Sequence, residues 1–361
     1  MSARGARRLR LAAARRAAEH RSVLVTARTS VRYLSGFTGS AGALWIPVAG
    51  SPTLVTDSRY EEQVRLEVGD HILTHIGREG WIRGVADVTG DAPGPTVFEA
   101  EDLTVADYDA LRETLPGMVF VSRRDLIRAL RQVKDRQELD AIERAVAVAE
   151  SAFDRVLAGI DWAGAPSERQ VATALETELR RGGSEPLPFD PIVAAGERSA
   201  LPHATPSDRR VEPGDLLLID FGARVDGYCS DITRTCVRGT PEPWQTNIHA
   251  RVLGARQRAR EAIRPGAAAR AVDAAARDSL TRHDLDTFFG HSTGHGIGLD
   301  VHEGPSLSSR SEDILLAGNV VTVEPGVYLP GRGGVRIEDD VLVEEDGSRT
   351  LTHLPRALVE L

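Results

Sequence analysis

The sequence predicts a mixed α/β (α+β) chain of two domains, a small α/β domain over residues 1–130 and a larger one over residues 131–361. Three observations carry this. The chain has 361 residues, about two domains' worth. Short apolar runs alternate with helical patterns up to about residue 121. Beyond residue 186 the pattern turns to strands separated by glycine-rich turns.

Composition narrows the class. With 41% hydrophobic residues the chain can bury a core. A formal net charge of −9 lacks the basic footprint of non-specific nucleic-acid binding. No apolar run approaches the roughly 20 residues that span a bilayer, so neither nucleic acid nor membrane is an expected partner. Only two cysteines occur, Cys229 and Cys236, at a spacing unlike a metal knuckle. They read as small strand residues in a reducing, cytoplasmic protein. The first 21 residues are rich in Arg and Ala, a composition shared with transit peptides. They read here as a helix laid on the first domain.

In the first domain, residues 22–27, 43–48, 53–56 and 96–98 read as strands, and 59–67 and 104–115 as helices. The segment from Tyr33 to Gly42 reads as a glycine-punctuated loop, with no Gly-Lys-Ser/Thr to make it a phosphate cradle. Residues 123–135 are strongly basic and read as a solvated interdomain helix. A long helix starts near Gln137, with Leu139, Ile142, Ala145, Val146, Val148 and Ala149 at helical spacing. Ser167 and Gln170 form a capping-box pattern for a helix over 168–181, closed by Gly182-Gly183. Further helices are predicted at 244–263, before Pro265-Gly266, and at 268–282. Strands are predicted at 191–195, 215–224, 228–237, 319–324 and 335–343. Helices followed by an acid-bearing strand pair occur twice, which points to an internal duplication.

Three signals carry chemistry. Asp226-Gly227 between strand-like runs is a hairpin turn. It pairs Val225 with Tyr228 and Asp220 with Thr233, leaving Asp220 and Asp231 on one face as diagonal neighbours. Two carboxylates so close at the end of an apolar strand repel unless a cation lies between them. A second hairpin, centred on Gly331, sets Glu324 opposite Glu338. The third signal is His291, His295 and His302: three of ten histidines within 12 positions, interleaved with glycines. The spacing is not that of a zinc-binding HExxH helix. One imidazole among carboxylates suits Mn²⁺, Co²⁺ or Fe²⁺ at least as well as Zn²⁺. Four carboxylates can serve two divalent ions about 3.5–4 Å apart. Taken singly, each acid is an ordinary solvated strand end; five donors in register are not.

The order of Asp220, Asp231, His295, Glu324 and Glu338 resembles the ligand set of the M24 metallopeptidases. These are the pita-bread family of aminopeptidase P, prolidase, methionine aminopeptidase and creatinase. The flanking segments are similar too: Pro202-His203, His295-Gly-Ile-Gly-Leu-Asp-Val-His302-Glu303, Val323-Glu324-Pro325-Gly326-Val327-Tyr328 and Gly334-Val335-Arg336-Ile337-Glu338-Asp339. The likeness covers about 135–361. Residues 1–121 resemble the creatinase-type N-terminal domain through Tyr33-Leu34-Ser35-Gly36-Phe37 and Thr56-Asp57-Ser58-Arg59-Tyr60, which favours the proline-specific branch.

The resemblance implies a pita-bread catalytic domain with pseudo-twofold duplication. It implies two divalent ions, Mn²⁺ first, bound by Asp220, Asp231, His295, Glu324 and Glu338, with Asp231 and Glu338 bridging. It implies Glu324 as proton shuttle, His203 and His302 stabilising the reacting carbonyl, and His291 and Arg336 lining the proline-side pocket. Arg336 has a plainer reading as the neutraliser of Glu338 or Asp339. His20, His71, His75, His249, His283 and His353 carry no spacing signal and read as structural, as do the scattered Trp45, Trp81, Trp162 and Trp244.

The substrate implied is a proline-containing peptide cleaved at its N-terminal Xaa-Pro bond by a homodimer or homotetramer. Some dipeptidases of the family place an arginine four residues after the second histidine. Ser306 stands there, with Arg310 displaced, so the sequence leans to an aminopeptidase over a dipeptidase. A pita-bread binding module without catalysis and a metal-free creatinase-like C–N hydrolase are the competing classes, and the complete donor set argues against both.

Overall fold

In the computed structural model, which describes residues 3–90 and 94–361, the chain divides into two units, Met1–Arg131 and Gln132–Leu361. The first unit holds helices α1 (Ala3–Ala17), α2 (Arg28–Ser35), α3 (Glu61–Glu67), α4 (Trp81–Thr89), α5 (Val105–Thr114) and α6 (Arg128–Arg131). Its strands are β1 (Ser22–Val25), β2 (Ala43–Ile46), β3 (Thr53–Asp57), β4 (Leu73–Gly77), β5 (Pro95–Glu99) and β6 (Val119–Arg123), ordered β4-β3-β2-β1-β5-β6 in one sheet. The strands whose every residue is buried, β1 and β2, lie in the middle, where both faces are covered.

Two expectations fail in this unit. Tyr33, Leu34 and Ser35 are the last turn of α2 and are buried; Gly36, at φ 86°, is the left-handed cap that ends it. The glycines mark the helix stop, not a loop throughout. The basic stretch after residue 123 is not a solvated helix either. Only Arg128–Arg131 is helical, and Arg131 and Lys134 are buried. The strand pattern of β4 and β6 is too exposed to stand out in sequence.

The second unit opens with α7 (Arg136–Gly159), capped by Asp135 and Glu138, and α8 (Glu168–Arg181), capped by Ser167 and Gln170. Strands β7 (Ile192–Ala195), β8 (Leu216–Phe221), β9 (Arg224–Val225), β10 (Tyr228–Cys229) and β11 (Ile232–Val237) follow. Then the order repeats: α9 (Pro243–Ala262), with proline at its first turn where no N–H is needed, and α10 (Ala269–Thr281) precede a second strand set. That set is β12 (Gly294–Gly296), β13 (Glu303–Leu307), β14 (Val320–Val323), β15 (Gly326–Leu329), β16 (Gly333–Arg336), β17 (Asp339–Glu344), β18 (Gly347–Thr350) and β19 (Val359–Glu360). The sheets run β19-β11-β8-β7 and β13-β12-β14-β17-β18, with β15-β16 as a separate ribbon.

Val252, Ala255 and Ala259 of α9 and Val272, Ala276 and Leu280 of α10 share one core with Leu216, Val321, Val335 and Val341. The apolar helix stripes thus hold both strand sets in place. On α7, Phe153 stacks on Phe221 at 5.2 Å between ring centroids. Among the described residues no helix is long and apolar enough to cross a membrane.

Candidate metal centre

Both hairpins keep the register read from the sequence, and both ladders break at the acids. In the first, Asp226 and Gly227 take φ of 51° and 81°, the turn that matches strand twist, and Val225 pairs with Tyr228. Asp220 pairs with Thr233 and Ser230 N–H donates to Ala223 O at 3.0 Å, but between them the ladder lapses at Asp231. Asp231 N–H leaves its own hairpin and donates to Asp340 Oδ2 at 3.1 Å. In the second, β14–β17 and β15–β16 share one centre, pairing Val323 with Asp339 and Gly326 with Arg336. Glu324 and Glu338 fall in the gap. The gap has a cause: Pro325 has no N–H to give a ladder. Glu324 N–H donates to Thr293 O at 2.8 Å and Glu338 N–H to Thr233 O at 3.1 Å. This is why the predicted strand 335–343 is two strands.

The four carboxylates meet over a cavity of about 410 Å³ whose lining also includes Phe189, Asp190, Ile192, Pro202 and Ser292. His203, His291, His295, His302 and Arg336 line it as well, so every candidate site residue from the sequence borders one space. One donor atom each from Asp231, His295 and Glu338 lies within 4.8 Å of the others. His295 Nε2 stands 3.3 Å from Glu324 Oε1 and 3.7 Å from Asp231 Oδ2. Its Nδ1 is 3.1 Å from Gly296 O, so a proton on Nδ1 leaves the Nε2 lone pair facing the acids.

The electrostatics are those of uncompensated charge. Burial pushes the Asp231 carboxyl well above its ordinary range, reinforced by Glu338 and Asp220. Burial does the same to Glu338, with Glu324 and Asp220 adding to it. Burial raises Glu324 too, against the opposing pull of His291 and Arg336. Burial lowers His291, His295 and His302, favouring neutral imidazoles. Asp220 Oδ1 is buried with no hydrogen-bond partner among the described residues. An orphaned carboxylate oxygen, three crowded acids and a free imidazole nitrogen make a donor set that fits divalent cations.

Arg336 is the buried cation of the cavity wall. Its guanidinium reaches Asp220 Oδ2 at 2.6 Å, Tyr328 Oη at 2.9 Å, Thr233 Oγ1 at 3.0 Å and Pro202 O at 3.2 Å. Its direct ion pair is with Asp220, and its charge also pulls Glu338 downward. His291 Nε2 lies 2.8 Å from the same Tyr328 hydroxyl. Tyr328 thus joins the two residues expected at the proline side, and burial pushes its hydroxyl up to about 12, so it stays protonated. Sequence reasoning passed over Tyr328, Thr233 and Asp340 as site residues. Strand alternation could have found Asp340, two positions from Glu338 on the same face. Thr233 accepts from Arg336 and donates to Glu338 Oε2 at 2.6 Å, and its place opposite Asp220 was readable from the hairpin.

Comparison with known proteins places this arrangement. Residues 140–345 match metallopeptidase family M24, and residues 7–133 match the creatinase/prolidase N-terminal domain. The chain is 35% identical over 339 residues to an Xaa-Pro dipeptidase of Pyrococcus horikoshii, covering 94% of each chain. It matches the structure of an Xaa-Pro dipeptidase from Bacillus anthracis with a TM-score of 0.92 at 39% identity, covering 98% of this chain and 100% of that one. It matches that of an X-Pro aminopeptidase from Thermotoga maritima at 0.88 and 36%, covering 96% of this chain and 100% of the other.

Proposed function

This chain belongs to metallopeptidase family M24, and on that premise we propose that it is an Xaa-Pro dipeptidase, hydrolysing the single peptide bond of dipeptides that end in proline. The observation that carries the reading is the convergence of Asp220, Asp231, His295, Glu324 and Glu338 on one cavity in a chain similar along its whole length to Xaa-Pro dipeptidases. In this reading residues 1–130 are the creatinase-type N-terminal domain and 131–361 the catalytic one. The protein works in the cytoplasm as a homodimer or homotetramer.

The lean toward an aminopeptidase is set aside. It rested on Ser306, and Ser306 does not border the cavity: its N–H donates to Asp313 Oδ2 at 2.9 Å and its hydroxyl meets Ser308. Ser306 pairs with His295 across the β12–β13 ladder, and what outweighs the missing arginine at that position is the likeness along the whole chain to Xaa-Pro dipeptidases.

Asp220, Asp231, His295, Glu324 and Glu338 would hold two divalent ions, with Mn²⁺ preferred by so oxygen-rich a set. When bound, such ions supply a nucleophilic water at neutral pH and polarise the scissile carbonyl. The chain's own groups do the rest. Cleaving an Xaa-Pro bond releases a secondary amine, so the proline nitrogen must gain a proton as it leaves. Glu324, raised by burial and hydrogen-bonded to Thr322 Oγ1 at 3.2 Å, holds and delivers that proton. His203 and His302 face the cavity with exposed imidazoles and donate to the carbonyl oxygen as it gains charge. Phe189, Ile192 and Pro202 give the apolar wall a proline ring needs, and His291 and Arg336, tied through Tyr328, close its far side.

The test is turnover of an Xaa-Pro dipeptide beside an Xaa-Pro-Yaa tripeptide, after chelation and reloading with Mn²⁺, Co²⁺, Fe²⁺ or Zn²⁺ in turn. Cleavage of the dipeptide alone, restored best by Mn²⁺, is the expected result. Equal cleavage of the tripeptide would return the aminopeptidase reading. No turnover with any metal would leave a binding module.

A further inference from the structure

Of 44 Lys and Arg residues, Lys134 is the only lysine, and the peptidase reading gives it no role. Its side chain and that of Glu303 are each 1% exposed. Lys134 Nζ donates to Glu303 Oε1 at 2.7 Å and to Gln132 O at 3.2 Å. The backbone around it is pinned. Lys134 N–H donates to Gly318 O at 2.8 Å, Val133 bridges to Asn319, and Asn319 Nδ2 donates to Gln132 O at 3.0 Å. The place of the ammonium is therefore set by its main chain, despite the flexible stem.

Its partner occupies a decisive position. Glu303 follows His302 directly and pairs across the sheet with Gly296, the neighbour of His295. Its carboxylate lies against the loop that runs from His295 to His302, where a Cβ at Gly298 would meet Glu303 Oε1 at 2.6 Å. The same loop is held by Cys229 N–H to Gly298 O at 2.8 Å and by Ile297 N–H to Val320 O at 3.0 Å. At its end the His302 ring stands 4.3 Å from that of His295, centroid to centroid.

We infer that Lys134 and Glu303 are a positioning pair, a buried strut beneath the 297–302 loop that fixes the His302 imidazole in the cavity. A buried ion pair is weak as a source of net stability and better suited to specifying one arrangement. The strut also accounts for the lysine. A compact ammonium with three donors meets the two acceptors seen here, whereas a planar guanidinium brings five N–H groups to satisfy in a sealed space. The role of His302 in turnover rests on the peptidase reading above; its placement by the pair does not.

Two variants test this in the full chain: the charge-free K134M/E303L, which strands no buried charge, and K134R, which keeps the charge. The first readout is the NMR signal of the His302 ring in histidine-labelled protein, assigned by its loss in H302A. In both variants that signal shifts toward solvent-exposed histidine or broadens, while those of His203 and His291 hold. The second readout is kinetic. With bound metal unchanged, kcat on an Xaa-Pro dipeptide falls about 10- to 100-fold and KM changes little. In an H302A background K134M/E303L then costs nothing further, because it acts through the group already removed. An unmoved His302 signal, a loss that multiplies with that of H302A, or a fall in bound metal would each overturn the inference. If K134M/E303L does not fold, K134R decides by the same readouts. A wild type that cleaves no Xaa-Pro peptide would sink the proposed function, and the His302 signal would still decide the strut.

Discussion

Glu338, in the gap just before β17, and Asp339, the first residue of β17, are 2% and 0% exposed and face opposite ways. Glu338 borders the cavity with Asp220, Asp231 and Glu324. Burial, then Glu324 and Asp220, push its carboxyl well up. Asp339 looks the other way into a cage of arginines. Arg234 lies 2.8 Å from its Oδ1, and Arg256 and Arg356 each lie 2.7 Å from its Oδ2. Burial alone would raise it, but the three cations outweigh burial and hold it below its ordinary value. Both are buried carboxylates one position apart; what differs is the partners. The fold surrounds Asp339 with three arginines, whereas the cavity acids Asp231, Glu324 and Glu338 have no arginine in direct ion-pair contact among the described residues.

The largest test of this contrast is to neutralise each acid in turn. Glu338→Gln should cost about 10³-fold in turnover, roughly 4 kcal/mol in the barrier, by removing one shared donor. In chelator its thermal midpoint should be no lower than wild type, since a crowded charge has gone. Asp339→Asn should do the reverse. Stranding buried arginines costs about 3–5 kcal/mol, read by urea unfolding, while the protein that remains folded still binds metal. Equal destabilisation by both substitutions would erase the distinction.

The two acids also predict opposite pH dependences. Glu338 and Asp231 have folded values raised above their ordinary 4.5 and 3.8, so the folded chain keeps protons that the unfolded chain releases. Their contribution to stability is present at low pH and is lost as pH rises above that ordinary range. Asp339, lowered from 3.8, contributes fully above that value and loses it as pH falls below. The metal-free protein should therefore melt lower at pH 8 than at pH 5, and added metal should reverse this. The gain in midpoint from Glu338→Gln should grow over the same interval. Parallel melting curves for variant and wild type across it would remove the cavity acids as the cause.

The cavity side of this contrast was legible in sequence and the cage was not. Asp226-Gly227 and Gly331 set two hairpin centres, and alternation then placed Asp220, Asp231, Glu324 and Glu338; all of that is local. What those rules missed is where a ladder lapses. The gap at Glu324 follows from Pro325, but the acceptors that take over the freed N–H groups are distant in sequence: Thr293, just before β12, and Thr233 of β11. The cage joins Arg234 of β11, Arg256 of α9 and Arg356 near the chain's end, so no window of sequence contains it. Lys134 and Glu303, 169 residues apart, are hidden for the same reason. Ser306 is a further case: its place opposite His295 comes from the pairing of β12 with β13, which spacing alone does not give.

The smallest effect sharpens the comparison most. Arg356 donates to Asp339 Oδ2 at 2.7 Å, to Oδ1 at 3.1 Å and to Thr352 O at 2.8 Å, yet its side chain is 27% exposed. Arg234 and Arg256, at 4% exposure each, are sealed in. Water can replace part of what Arg356 supplies, and two buried cations remain on the carboxylate. Arg356→Ala should therefore cost only about 1 kcal/mol, a drop of about 2 °C in Tm for a chain of this size, with turnover unchanged. A loss as large as that of Asp339→Asn would mean that the cage works only when all three cations are in place. The surplus of positive charge would then be a requirement of the fold, and the contrast with the cation-poor cavity would be one of degree of neutralisation, not of whether partners are built in.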